Sequence, residues 1–138
     1  ARELLVQALY QWQLADHSEA EIGKQFACRE EFNRIDQAYF KDLLSTILSN
    51  VQGLDDVIGK YADREVNQLD EISRAVLLLA AAELTSRSDI PTKVSINEAV
   101  ELAKRYGPKD CFRFINAVLD RLAKEVREPQ LNETYGAR

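Results

Sequence analysis

Ile72-Ser73-Arg74-Ala75-Val76-Leu77-Leu78-Leu79-Ala80-Ala81-Ala82-Glu83-Leu84 is the stretch that decides the fold. Ala75 to Ala82 are eight consecutive apolar residues, with no Gly, Pro or Asn to interrupt a helix. A surface helix carries one apolar stripe, but this one is apolar nearly all round, so other helices must enclose it on most sides. It is far shorter than the roughly 20 apolar residues that a bilayer span needs. The stretch therefore reads as the central helix of an all-α domain with no membrane segment.

The rest of the composition fits that frame. A chain of 138 residues suits one domain covering residues 1–138, able to bury about two-thirds of its unfolded surface without disulfide or metal. Charged residues at 30% and apolar residues at 46% exclude wholesale disorder. Five Gly and three Pro leave little room for long irregular stretches, so helices joined by short turns are expected. Cys28 and Cys111 are far apart and form no C-x-x-C pair. With no apolar leader in view, a reducing, cytoplasmic setting is expected, with both as thiols and Cys111 as a packing residue. The net charge of −5 argues against a surface that binds nucleic acid all over, because phosphate neutralisation needs clustered Lys and Arg. Any such role must be local or shared with a partner.

Working outward, Leu5, Ala8, Trp12 and Ala15 form one stripe of a first helix, flanked by Leu4 and Leu9. Arg2, Val6 and Tyr10, four apart, are expected on a strip turned away from it. Ser18-Glu19-Ala20-Glu21 matches a capping box that opens a short helix burying Ile22 and Phe26. A helix starting between Asn33 and Asp36 buries Tyr39, Phe40, Leu43, Leu44 and Ile47 and runs on through Leu54 and Ile58, with Gly53 as the expected bend. After the central helix, Ser95-Ile96-Asn97-Glu98 matches a second capping box, with Val94 as its staple, and Gly107-Pro108 ends that helix. A last helix starts near Lys109, buries Phe112, Ile115, Leu119, Leu122 and Val126, and stops at Glu128-Pro129, before a loose tail from about residue 129. About seven helices result.

Catalytic chemistry finds no support. The single histidine, His17, has no nucleophile beside it in any motif, and G-x-G-x-x-G, Walker, H-E-x-x-H and Cys/His metal patterns are missing. No cofactor or metal is implied. Glu83 lies in the middle of the buried face, so its carboxylate must be bonded to backbone amides at a helix start or to a Lys or Arg. Phe114 lies off the core stripe of the last helix, beside Lys109, Arg113 and Asn116, where free amides suit phosphate. A ring with flanking cations is the combination that stacks on and neutralises single-stranded bases, and Tyr10 with Arg2 repeats it.

These stretches resemble the NusB family of bacterial transcription antitermination factors over essentially the whole chain. The resemblance is carried by Val6-Gln7-Ala8-Leu9-Tyr10, Tyr39-Phe40, Arg87-Ser88-Asp89-Ile90-Pro91, Phe114-Ile115-Asn116 and, most specifically, Asn97-Glu98-Ala99-Val100-Glu101-Leu102-Ala103-Lys104. It implies two small helical bundles and no enzyme. It also implies pairing with the ribosomal protein NusE, binding of boxA RNA in ribosomal RNA leaders, and assembly with NusA, NusG and RNA polymerase; self-association that hides the RNA face is a family theme. Carried over by position, RNA contact falls on Arg2, Gln7, Tyr10, Asp110, Arg113, Phe114 and Asn116, and NusE contact on Ser73, Arg74, Leu77 and Leu84, although Leu77 and Leu84 read equally as core. The family also implies an arginine-rich segment in front of the first helix, and this sequence begins at Ala1, just inside the point where it should end. The same fold resembles the N-terminal domain of ribosomal RNA cytosine methyltransferases, which requires a Rossmann-like domain after Arg138. A helical protein-interaction module without an RNA role is the remaining alternative.

Overall fold

The computed structural model describes residues 1–15 and 17–136, with side chains as far as Arg127. Among them run seven α-helices: α1 (Arg2–Leu14), α2 (Glu19–Ala27), α3 (Gln37–Ser49), α4 (Val51–Ala62), α5 (Glu71–Ser86), α6 (Thr92–Tyr106) and α7 (Cys111–Gly136). Short 3-10 turns at Glu30–Arg34 and Val66–Gln68 complete the described path.

Helix α5 is the enclosed one. Asp70 starts it by accepting the Ser73 amide at 2.9 Å, and every residue from Ala75 to Leu84 is buried. It packs against α1, α3, α4, α6 and α7, so each fully buried leucine contributes about 1.5–3 kcal/mol. Helices α1, α2 and α3 pack on one another as one bundle, and α4, α6 and α7 gather on α5 as the other. The carbonyls at the end of α5 and in the turn after it are collected by one side chain: Arg127 donates to the carbonyls of Glu83 (3.1 Å), Leu84 (3.0 Å), Arg87 (2.9 Å) and Ile90 (2.6 Å). The Glu83 and Arg87 carbonyls also accept the Arg87 and Ile90 amides at 2.9 and 3.0 Å, whereas the Leu84 carbonyl, in the last turn of α5, lies beyond the reach of its own helix's amides, so α7 caps α5.

Ser18 and Glu21 form the expected capping box, and Asp36 caps α3 through the Tyr39 amide at 3.0 Å. Other expectations need correction. The long third helix breaks at Asn50, not Gly53; a Cβ at Gly53 would meet only the Asn50 side-chain amide, which can turn aside. Ser95 caps nothing. Helix α6 begins one turn earlier, after Pro91, whose fixed φ (−59°) suits a helix entry, and Val94 is 40% exposed. Gly107 ends α6 with φ −87°, so its role is space: a Cβ would meet the Cys111 Sγ at 2.4 Å. The left-handed residue is Asp110 (φ 63°), which turns the chain into α7 at Cys111. The backbone of α7 continues helically past Pro129 to Gly136, since one missing amide removes a single i→i−4 bond and kinks a helix more readily than it ends one. The looseness expected of the tail's side chains lies outside the described residues. Val6, expected on an outward strip, is 1% exposed, because α2, α3 and α5 all pack on α1.

Candidate nucleic-acid interface

Three sites decide where the expected contact residues lie. At the start of α1, Arg2 turns inward. Its Nε and Nη2 donate to Glu83 at 2.8 and 3.2 Å, and Ser95 Oγ (2.8 Å) and the Tyr39 hydroxyl donate to the same carboxylate. Four donors thus satisfy the buried acid, from Arg, Ser and Tyr rather than from backbone amides. Burial opposes the Arg2 charge, but the hydrogen bonds and attraction of Glu83 outweigh it and hold the guanidinium above its ordinary value. Burial, and then the bond to Glu83, push the Tyr39 phenol well above its ordinary pKa, so it stays a donor. The cleft outside is bordered by Glu3, Asp36, Glu98 and Glu101 against Arg2 and Arg105, and both cations are already paired, with Glu83 and Glu3. Arg2 is a counterion of the core, not the outward cation expected.

Further along α1, Tyr10 is 37% exposed and borders a cleft of about 300 Å³ with Gln7, Leu14, Ile72 and Tyr106. The cation there is Arg29, just after α2. Its guanidinium lies over the Phe26 ring at 4.0 Å and donates to the Gln7 Oε1 at 2.8 Å. Neither Arg29 nor Tyr106 was marked by sequence reasoning. Tyr106 carried a signal, an aromatic ending a helix before Gly-Pro; Arg29 carried none, because only the packing of α2 on α1 brings it to Gln7.

The third site begins where the second ends. Tyr106 is followed by the turn Gly107–Asp110, which leads into α7 and, one turn on, to Phe114. Asp110, Arg113 and Asn116 are exposed. Phe114 itself is half-buried against the core, and its cation is Arg64, 4.4 Å from the ring centroid, not Lys109 or Arg113. Arg113 lies instead 5.6 Å from Phe112, with Lys104 at 5.0 Å, so Phe112 is a half-buried ring between cations and not a core residue. Helix α7 packs on α5, burial raises the Cys111 thiol pKa at its start, and Ile72 of the first turn of α5 borders the Tyr10 cleft.

The expected NusE contacts fare differently. Ser73 (2% exposed), Leu77 (0%) and Leu84 (3%) are core, enclosed because α5 has helices on most sides. Arg74 keeps some surface but is tied to Asp55 at 2.6 Å and lies 5.3 Å from the Trp12 ring.

Fold and surface together define an all-helical binding protein that presents rings, amides and guanidinium groups on its surface. The family model described as NusB family matches residues 1–124. Transcription antitermination protein NusB of Alcanivorax borkumensis is 44% identical over 133 residues, 96% of this chain and 89% of that one. Its counterpart in Sodalis glossinidius is 45% identical over 127 residues, 92% of this chain and 91% of that one. Among solved structures, T. maritima NusB superposes with a TM-score of 0.81 at 30% identity, covering 95% of this chain and 94% of that one. A crystal structure of antitermination factors NusB and NusE in complex with dsRNA matches with a TM-score of 0.79 at 25% identity, covering 90% and 93%. This chain belongs to the NusB family.

Proposed function

We infer that this chain is a transcription antitermination factor that joins NusE to bind boxA RNA of ribosomal RNA leader transcripts and so helps to assemble NusA, NusG and RNA polymerase into an antitermination complex. It works in the cytoplasm by recognition rather than catalysis, as one domain spanning residues 1–138. The observation that carries this reading is the run of rings from Tyr10 and Tyr106, through the Gly107–Asp110 turn, to Phe114 beneath Arg64. Bases stack on aromatic rings and on guanidinium planes alike, so Arg64 on Phe114 is itself a platform. Gln7, Arg113 and Asn116 lie on exposed turns of the same helices and supply polar contacts. With a net charge of −5, the chain depends on its partner for much of its affinity. The test is a gel shift with boxA RNA, with and without NusE. Tyr10→Ala and Phe114→Ala should each weaken the complex while helical content holds; unchanged binding in both would defeat the site assignment.

A further inference from the structure

The Tyr10 cleft is more specific than a patch of exposed rings. Tyr10 and Tyr106 border it from different helices, Ile72 borders it as well, and the Gln7 amide is held by Arg29. At about 300 Å³ it lies at the small end of ligand clefts, which suits one planar ring better than a partner helix. The Arg29 guanidinium is fixed by Phe26 on one face and by Gln7 at one edge. Among the described residues no carboxylate lies within ion-pair distance of it, and the neighbouring Glu30 is 3.9 Å from Arg34. Arg105, beside Tyr106, is already paired with Glu3. Arg29 is therefore a positioned cation with free donors at the edge of an aromatic cleft.

We propose that this cleft receives one unstacked base of a single-stranded RNA segment between Tyr10 and Tyr106, while Arg29 neutralises the phosphate next to it. Because Arg29 occupies the Gln7 carbonyl, the Gln7 Nε2 is left as a donor and favours a base that presents an acceptor at its edge. The assignment rests on the RNA reading above and adds two residues, Arg29 and Tyr106, that decide where the strand is gripped.

The experiment measures binding of the NusE-bound protein to boxA RNA and to a set of the same strand with one abasic position each. Tyr106→Ala should weaken binding to the intact strand about ten-fold, within the range of one stacked base, and Tyr106→Phe should bind as the parent does. One abasic position should weaken the parent similarly, and Tyr106→Ala should cost nothing further on that strand. Arg29→Gln should lower the slope of log K against log salt by about one. If both variants bind as the parent does while Phe114→Ala is weakened, the cleft assignment fails and the RNA reading stands. If the parent complex does not distinguish boxA from a scrambled strand, the RNA reading fails as well. If Tyr106→Ala instead loses NusE in the absence of RNA, the cleft belongs to a protein and the proposal is overturned.

Discussion

Replacing Glu83 by Gln keeps the outline of the side chain and removes its charge at a position that is 1% exposed, against an Arg2 that is 26% exposed. In the native protein Oε2 accepts from the Arg2 Nε and the Tyr39 hydroxyl, and Oε1 from the Arg2 Nη2 and Ser95. A Gln amide must turn its NH2 toward one of those pairs. A hydroxyl can rotate to accept, but a guanidinium N–H cannot, so one Arg2 bond is lost whichever way the amide faces. Breaking a buried ion pair by removing one partner costs about 3–5 kcal/mol. Arg2 can swing partly into water, which places the cost near 3 kcal/mol and lowers Tm by about 10 °C for a domain of this size. Urea unfolding followed by circular dichroism, with m unchanged, measures it. Arg2→Gln in the Glu83→Gln background should add at least about 1 kcal/mol less than it costs alone, as coupled neighbours do. A Glu83→Gln loss below about 1 kcal/mol, or strictly additive costs, would show that the network is not what stabilises this end of α1.

The same reasoning extends to other sites. Arg127→Ala leaves the Leu84 carbonyl without its donor and takes a second donor from those of Glu83 and Arg87; it should cost about 2–3 kcal/mol in chemical denaturation, with Arg127→Lys failing to restore it because one ammonium cannot reach the same set. Tyr39 holds its proton above its ordinary value because it is buried against Glu83. The folded state therefore binds more protons than the unfolded one once the pH passes about 10, and stability that is intact below that value falls as the pH rises further; a series of melting temperatures should show the decline in the parent and a shallower one in Tyr39→Phe. Asp110 places a carboxylate at the start of α7, on the turn between the two ring sites. Asp110→Asn should tighten boxA binding, because it removes a charge that opposes phosphate while Asn tolerates the same left-handed φ; a weaker complex in the gel shift would contradict this.

Local sequence determined what local chemistry can determine. The unbroken apolar run from Ala75 to Ala82 required an enclosed helix, Ser18 announced a helix start through its side-chain oxygen, and the resemblance of the Asn97–Lys104 run indicated the family. Ser95 shows the limit: its Ser-x-x-Glu spacing fits a cap as well as a mid-helix position, and what settled the matter was Glu83, twelve residues away, whose buried charge needed a donor. Arg2 and Tyr10 share one strip of α1, yet one became a counterion of the core and the other a surface ring. Periodicity reports the angle around a helix, and not which neighbours lie at each level along it. For the same reason Arg64 over Phe114, Arg29 beside Gln7 and Arg127 at the end of α5 were invisible in sequence: each pairs groups that are distant along the chain, and only the packing of whole helices brings a long flexible guanidinium to its acceptor or ring.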